Sequence, residues 1–126
     1  MNTQTPLARV DGLASPGGGM RHWRAQRYTA LVLLLLSVWI LWLGVSLTGA
    51  DYVTARAAMS TPFNAAMTIF LAATMFYHTQ LGLQVVIEDY VHIAVMESVL
   101  LLMVRLGCIG AFLITAIAVL KLLSGA

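Results

Sequence analysis

In the stretch FYHTQLGLQVVIEDYVH, residues 76–92, one imidazole sits inside an apolar run that closes on Glu88, Asp89 and Tyr90. His78 can ligate a metal, relay a proton, or hydrogen-bond to a neighbouring helix. Asp89 can hold or supply protons and the Tyr90 hydroxyl can donate to a carbonyl oxygen. If the segment is a helix, rotation of ~100° per residue puts Gly82 at about +40° from His78 and Asp89 at about +20°. Thr74, His78, Gly82 and Asp89 then form one line along one face.

That line admits more than one chemistry. A porphyrin is a flat plate whose iron takes an axial imidazole, and a glycine one turn from the ligand lets the plate approach. Equally, His78 can simply bond to an adjacent helix or line a proton path. His22 and His92 flank the apolar runs, so a bis-histidine haem takes its second ligand from another polypeptide. At the end of the helix, Asp89 and Tyr90 suit a lipid-soluble carbonyl compound such as a quinone, whose reduction needs protons as well as electrons. The plainer alternative is a helix terminus with an interfacial tyrosine.

The elements that position these residues follow from composition. The chain has 126 residues, 60% of them apolar and 10% charged, with a mean hydropathy of +0.89. Soluble domains carry about 25% charged residues, so this is a small, all-α integral membrane protein of one domain. Its net charge of +2 does not indicate nucleic acid. Arg21, Arg24 and Arg27 lie directly before the first apolar run, where topogenic charge is placed. The single Cys108 sits in an apolar stretch and is read as packing rather than as part of a disulfide, zinc or iron–sulfur site.

Residues 1–20 read as a flexible cytoplasmic tail, neither a secretory signal nor a transit peptide. The anchor domain, 21–126, then contains three expected spans. The first, 28–48, is uncharged and 21 residues long, enough for a ~30 Å hydrocarbon core, with Tyr28, Trp39 and Trp42 as interfacial anchors. A polar connection, GADYVTARAAMS, leads to Thr61 as N-cap and Pro62 at the first helical position of the next helix. The second span, 63–87, carries Asn64, His78, Gln80 and Gln84, and a helix with that polar load faces protein. The third is placed near 103–123, after an interfacial turn containing Glu97. Arg105 then snorkels to the boundary, or lies deeper if the span starts earlier. Three spans with basic residues before the first put the N-terminus in the cytoplasm and the C-terminus outside.

RHWRAQRYTALVL before the first span, with His-x3-Gly-x6-Asp-Tyr-Val-His closing the second, resembles the small hydrophobic membrane anchor of the succinate dehydrogenase (succinate:quinone oxidoreductase, respiratory complex II) family. The resemblance covers about residues 20–123. It implies three transmembrane helices forming half of a two-chain haem-binding bundle in the bacterial inner membrane, with a periplasmic C-terminus. It implies His78 as an axial ligand of haem b, opposite a histidine of a second membrane anchor, the cytochrome b subunit. It further implies that Tyr90 hydrogen-bonds a ubiquinone carbonyl, that Asp89 lies beside that site, and that Arg27 stands near the haem propionates and quinone pocket. The remaining partners would be an iron–sulfur subunit and a flavoprotein subunit, since this chain has neither cluster ligands nor a dinucleotide fingerprint. Two alternatives are a haem-free structural anchor of the same complex and a small membrane transporter subunit.

Overall fold

The structure is a computed structural model that describes residues 18–125. Four helices follow one another: α1 (Gly18–Ser46), α2 (Tyr52–Met59), α3 (Pro62–Tyr90) and α4 (Ala94–Ser124). Most of the expected tail, residues 1–17, lies outside the described residues, whereas Gly18, Gly19 and Met20 already belong to α1. The three long helices have 29, 29 and 31 residues. At ~1.5 Å per residue each exceeds 40 Å, so each must tilt or project beyond a ~30 Å hydrocarbon core. All three are long and apolar enough to cross a membrane.

Each helix boundary has a local cause. The RHWRAQR segment contains no proline and several good helix formers, so the described part of α1 already includes the residues before Tyr28 and carries its arginines on the helix. Asp51 caps α2, accepting a hydrogen bond from the Thr54 N–H at 3.0 Å. Thr54, through its side chain and its backbone, holds the exposed Asp51 carboxyl below the usual carboxylate range. This cap is favoured above the ordinary carboxylate range and is lost as pH falls through the lowered value. At the start of α3, Thr61 accepts from the Asn64 N–H and Pro62 opens the helix. The Asn64 side-chain amide reaches back to the Ala58 carbonyl at 2.8 Å, tying α3 to the end of α2.

Two placements differ from the sequence expectation. Helix α2 occupies the connection expected to be merely polar; its Asp51 cap explains why so short a segment holds. Helix α4 starts at Ala94, nine residues before the expected third span. Nothing between these positions breaks a helix, and Glu97 in the first turn faces the positive end of the helix dipole. Arg105 is therefore eleven residues inside α4, ~16 Å from its start. It lines an open cleft of about 290 Å³ with Gln80 and Gln84. Trp42 is exposed as an interfacial anchor would be, but the Trp39 indole N–H is buried without a partner.

Helix α3 lies between α1 and α4, in contact with both. Of the eight buried residues among those described, five are on α3: Ala65, Ala72, Thr74, Leu81 and Ile87. Leu36 and Leu43 complete the core from α1 and Val119 from α4. No large side chain is fully buried among the described residues, while Leu35, Leu41, Val45 and Ile114 are broadly exposed. Such a surface needs lipid or partner helices around it. Ala65 and Ala72, 1% and 4% exposed, are the small residues that let helices approach closely. Ala72→Leu is expected to force α3 from its neighbours at a cost of about 1–3 kcal/mol. Unfolding in mixed detergent, followed by circular dichroism, measures this; wild-type stability would mean that Ala72 is not packed.

Candidate functional site

Helices α1 and α3 run antiparallel and meet through side-chain hydrogen bonds, at His78 and one turn further along α3. Thr29 follows the cationic segment of α1 and points its hydroxyl at the imidazole, with Oγ1 2.8 Å from His78 Nδ1. Gln26, almost one turn earlier, brings its amide nitrogen to 3.4 Å from His78 Nε2. One further turn back, His22 donates from Nε2 to the Leu81 carbonyl at 3.1 Å. The residues 22, 26 and 29 are spaced four and three apart, so they share one face of α1.

The line of residues expected on α3 is present as a gradient of burial. Thr74 is buried, His78 and Gly82 are half-buried, and Asp89 is exposed at the end of the helix. The Thr74 hydroxyl is used internally, donating to the Phe70 carbonyl at 2.9 Å. Gly82 is not required by the contact with α1. A methyl group there would meet only the Gln26 amide at 3.5 Å, an ordinary contact.

Two open clefts flank the α1–α3 seam. One, of about 550 Å³, is lined by His22, Trp23, Gln26, Gln84 and Glu88. The other, of about 400 Å³, is lined by Tyr28, Thr29, Phe70, Thr74 and Tyr77. Both are large enough for a small ligand. In the first, Gln84 donates to a Glu88 carboxylate oxygen at 2.7 Å, so that acid is already held.

The other residues expected at the site are nearby in the fold but separate. Asp89 and Tyr90 are the last two residues of α3, and Tyr90 is 79% exposed. Twelve residues separate Tyr90 from His78, ~18 Å along a helix. The Arg27 guanidinium lies over the Trp23 ring, 5.0 Å from its centre, and is exposed. Arg27 and Tyr90 thus present their polar ends outwards rather than to one another.

The donor chemistry suits an axial haem ligand. His78 has one ring nitrogen held by a hydroxyl and the other facing a displaceable amide. The Gln26 side-chain oxygen is buried without a partner, so that amide leaves one polar atom unsatisfied where it now rests. Among the described residues no group of three or more His, Cys, Asp or Glu could hold a metal ion. Sequence reasoning misses Thr29 and Gln26, and gives His22 no role. Their shared helix face is readable, but not which residues of α3 it meets.

The family described as succinate dehydrogenase/fumarate reductase transmembrane subunit matches residues 1–121. The succinate dehydrogenase hydrophobic membrane anchor subunit of Rickettsia felis is 32% identical over 101 residues, covering 80% of this chain and 84% of that protein. The protein of the same name from Rickettsia bellii is 30% identical over 113 residues, covering 90% of each chain. No solved structure gives a significant match. With three membrane-length helices and an imidazole inside the central one, the chain belongs to the succinate dehydrogenase/fumarate reductase transmembrane subunit family, as a multi-pass membrane anchor outside the dehydrogenase core.

Proposed function

We propose that this anchor docks the flavoprotein and iron–sulfur subunits of succinate:ubiquinone oxidoreductase on the bacterial inner membrane. In that role it shares haem b with the cytochrome b subunit through His78 and forms part of the quinone-reduction site. The observation that carries this reading is the arrangement on α3. One helix bears a half-buried imidazole within its span and an exposed Asp89–Tyr90 pair at its end. Haem, when bound, supplies a reversible one-electron store. The chain's own part is positional: His78 offers Nε2, Gly82 leaves room beside it, and Arg27 offers a guanidinium fork suited to a propionate.

At the end of α3, the Tyr90 hydroxyl can donate to a quinone carbonyl, with the Asp89 side chain beside it as a proton-transfer group. Arg21, Arg24 and Arg27, all exposed on α1, favour a cytoplasmic position for this end of the bundle and a periplasmic C-terminus. Use of the polar groups of α3 also favours an anchor over a conducting subunit. Asn64 is bound to α2, His78 to α1, and Gln84 to Glu88 on the same helix, so three of the four polar side chains of the span are engaged within the chain.

A haem-free anchor is the second reading. It is favoured by the fact that Thr29 and Gln26 already reach both ring nitrogens of His78. The two are separated by a reduced-minus-oxidised spectrum of the complex purified with its native partners. A b-type signal that disappears in His78→Ala is expected; a spectrum without it, or one unchanged by the substitution, would sink haem ligation by His78. For the quinone end, Tyr90→Phe removes one hydrogen bond, worth about 0.5–1.5 kcal/mol. Succinate:quinone activity should fall roughly 2–10-fold while succinate oxidation by a soluble dye is spared. Equal loss in both assays would point to an assembly defect and against a quinone contact.

A further inference from the structure

The Thr29 hydroxyl makes three close contacts but has one proton. It lies 2.8 Å from the Ala25 carbonyl, 3.1 Å from the Gln26 carbonyl and 2.8 Å from His78 Nδ1. A threonine inside a helix donates back to the carbonyl one turn earlier, and the short Ala25 contact is that bond. The proton is then committed to the backbone, and what Thr29 turns to the imidazole is a lone pair. A lone pair at 2.8 Å from Nδ1 requires that Nδ1 carry the hydrogen. Neutral imidazole has one N–H, so Nε2 must be the bare nitrogen. The other neighbour is Gln26, whose amide nitrogen is the atom nearest Nε2. That second contact is long, at 3.4 Å, near the outer limit for a hydrogen bond. It also leaves the Gln26 oxygen buried and unpartnered. The α1 helix therefore holds the ring firmly at Nδ1 and loosely at Nε2.

We infer that Thr29 is a positioning residue for His78: its hydroxyl oxygen accepts the Nδ1–H, fixes the ring's tautomer and plane, and keeps the Nε2 lone pair directed at iron. This rests on His78 being the haem ligand. Ligand histidines commonly donate their second N–H to an acceptor, which orients the ring and makes it a stronger electron donor. A stronger donor favours the ferric state and lowers the haem potential. Gln26 is the side chain at Nε2, 3.4 Å away, and its amide would have to give way for a metal to be held there. Among the described residues, Thr29 is the side chain within hydrogen-bond distance of Nδ1.

The test uses the whole complex carrying Thr29→Val, which keeps the shape but removes the acceptor, and Thr29→Ser, which keeps the hydroxyl. Redox titration of the b-type absorbance should show a higher midpoint potential in Thr29→Val. Electron paramagnetic resonance of the ferric haem should show shifted g-values as the ring plane is released. Haem affinity should fall by about 10-fold or more, the usual cost of losing such a partner. Thr29→Ser should match the wild type in all three. Should the valine variant not assemble, Thr29→Ala is read in the same way. A haem with unchanged potential and g-values in the acceptor-free variant would overturn the inference while leaving His78 as ligand. A wild-type complex without haem would overturn both. Equal shifts in Thr29→Ser and Thr29→Val would overturn it too, because general packing would then be the cause.

Discussion

A polar group carried into hydrocarbon must find its partner within the protein, because the surrounding tails offer none. That constraint determines how α1 rests on α3. The imidazole of His78 meets Thr29 and Gln26, and the Leu81 carbonyl meets His22. These contacts set the register and direction of the antiparallel pair more specifically than the exposed leucine and valine surface could. Apolar side chains facing lipid are nearly as well placed in many rotations of α1, whereas the hydrogen bonds permit one. The same rule operates at the other end, where the Asn64 amide ties α3 to the Ala58 carbonyl of α2.

The thin core has a related origin. Helices in a membrane gain little by hiding apolar surface from lipid of the same character. Their contacts are made by small residues such as Ala65 and Ala72, and by the few polar groups just described. The broad faces of Leu35, Leu41 and Ile114 are therefore available either to lipid or to neighbouring helices. A second polypeptide joining this bundle would meet the same physics, with close packing and polar pairs deciding its placement.

Much of this architecture is legible in the residues, and the exceptions have physical reasons. Uncharged length marks the spans, and Thr61-Pro62 marks the start of α3, because capping is a local matter. The shared face of Thr74, His78, Gly82 and Asp89 follows from helical rotation, whereas their decreasing burial along it depends on where α1 and α4 lie. The start of α4 is easily misplaced because Glu97 reads as an obstacle to a membrane helix, although an acid in a first turn favours the helix. Helix α2 escapes a sequence reading since an eight-residue helix rests largely on its cap and its tertiary neighbours. The roles of Thr29 and Gln26 depend on which turn of α3 faces which turn of α1. No periodicity within a single helix contains that register. His22, Asp89, Tyr90 and Arg27 illustrate the same division: their positions are readable, their neighbours are not.

The continuity of α1 bears on the order of events during synthesis. Arg21, Arg24, Arg27 and the two residues that receive His78 lie on one unbroken helix, which precedes α3 in the chain. When α3 follows, its imidazole enters lipid with a hydroxyl and an amide already waiting. Both hydrogen-bond partners of the histidine thus come from the helix that precedes it in the same chain.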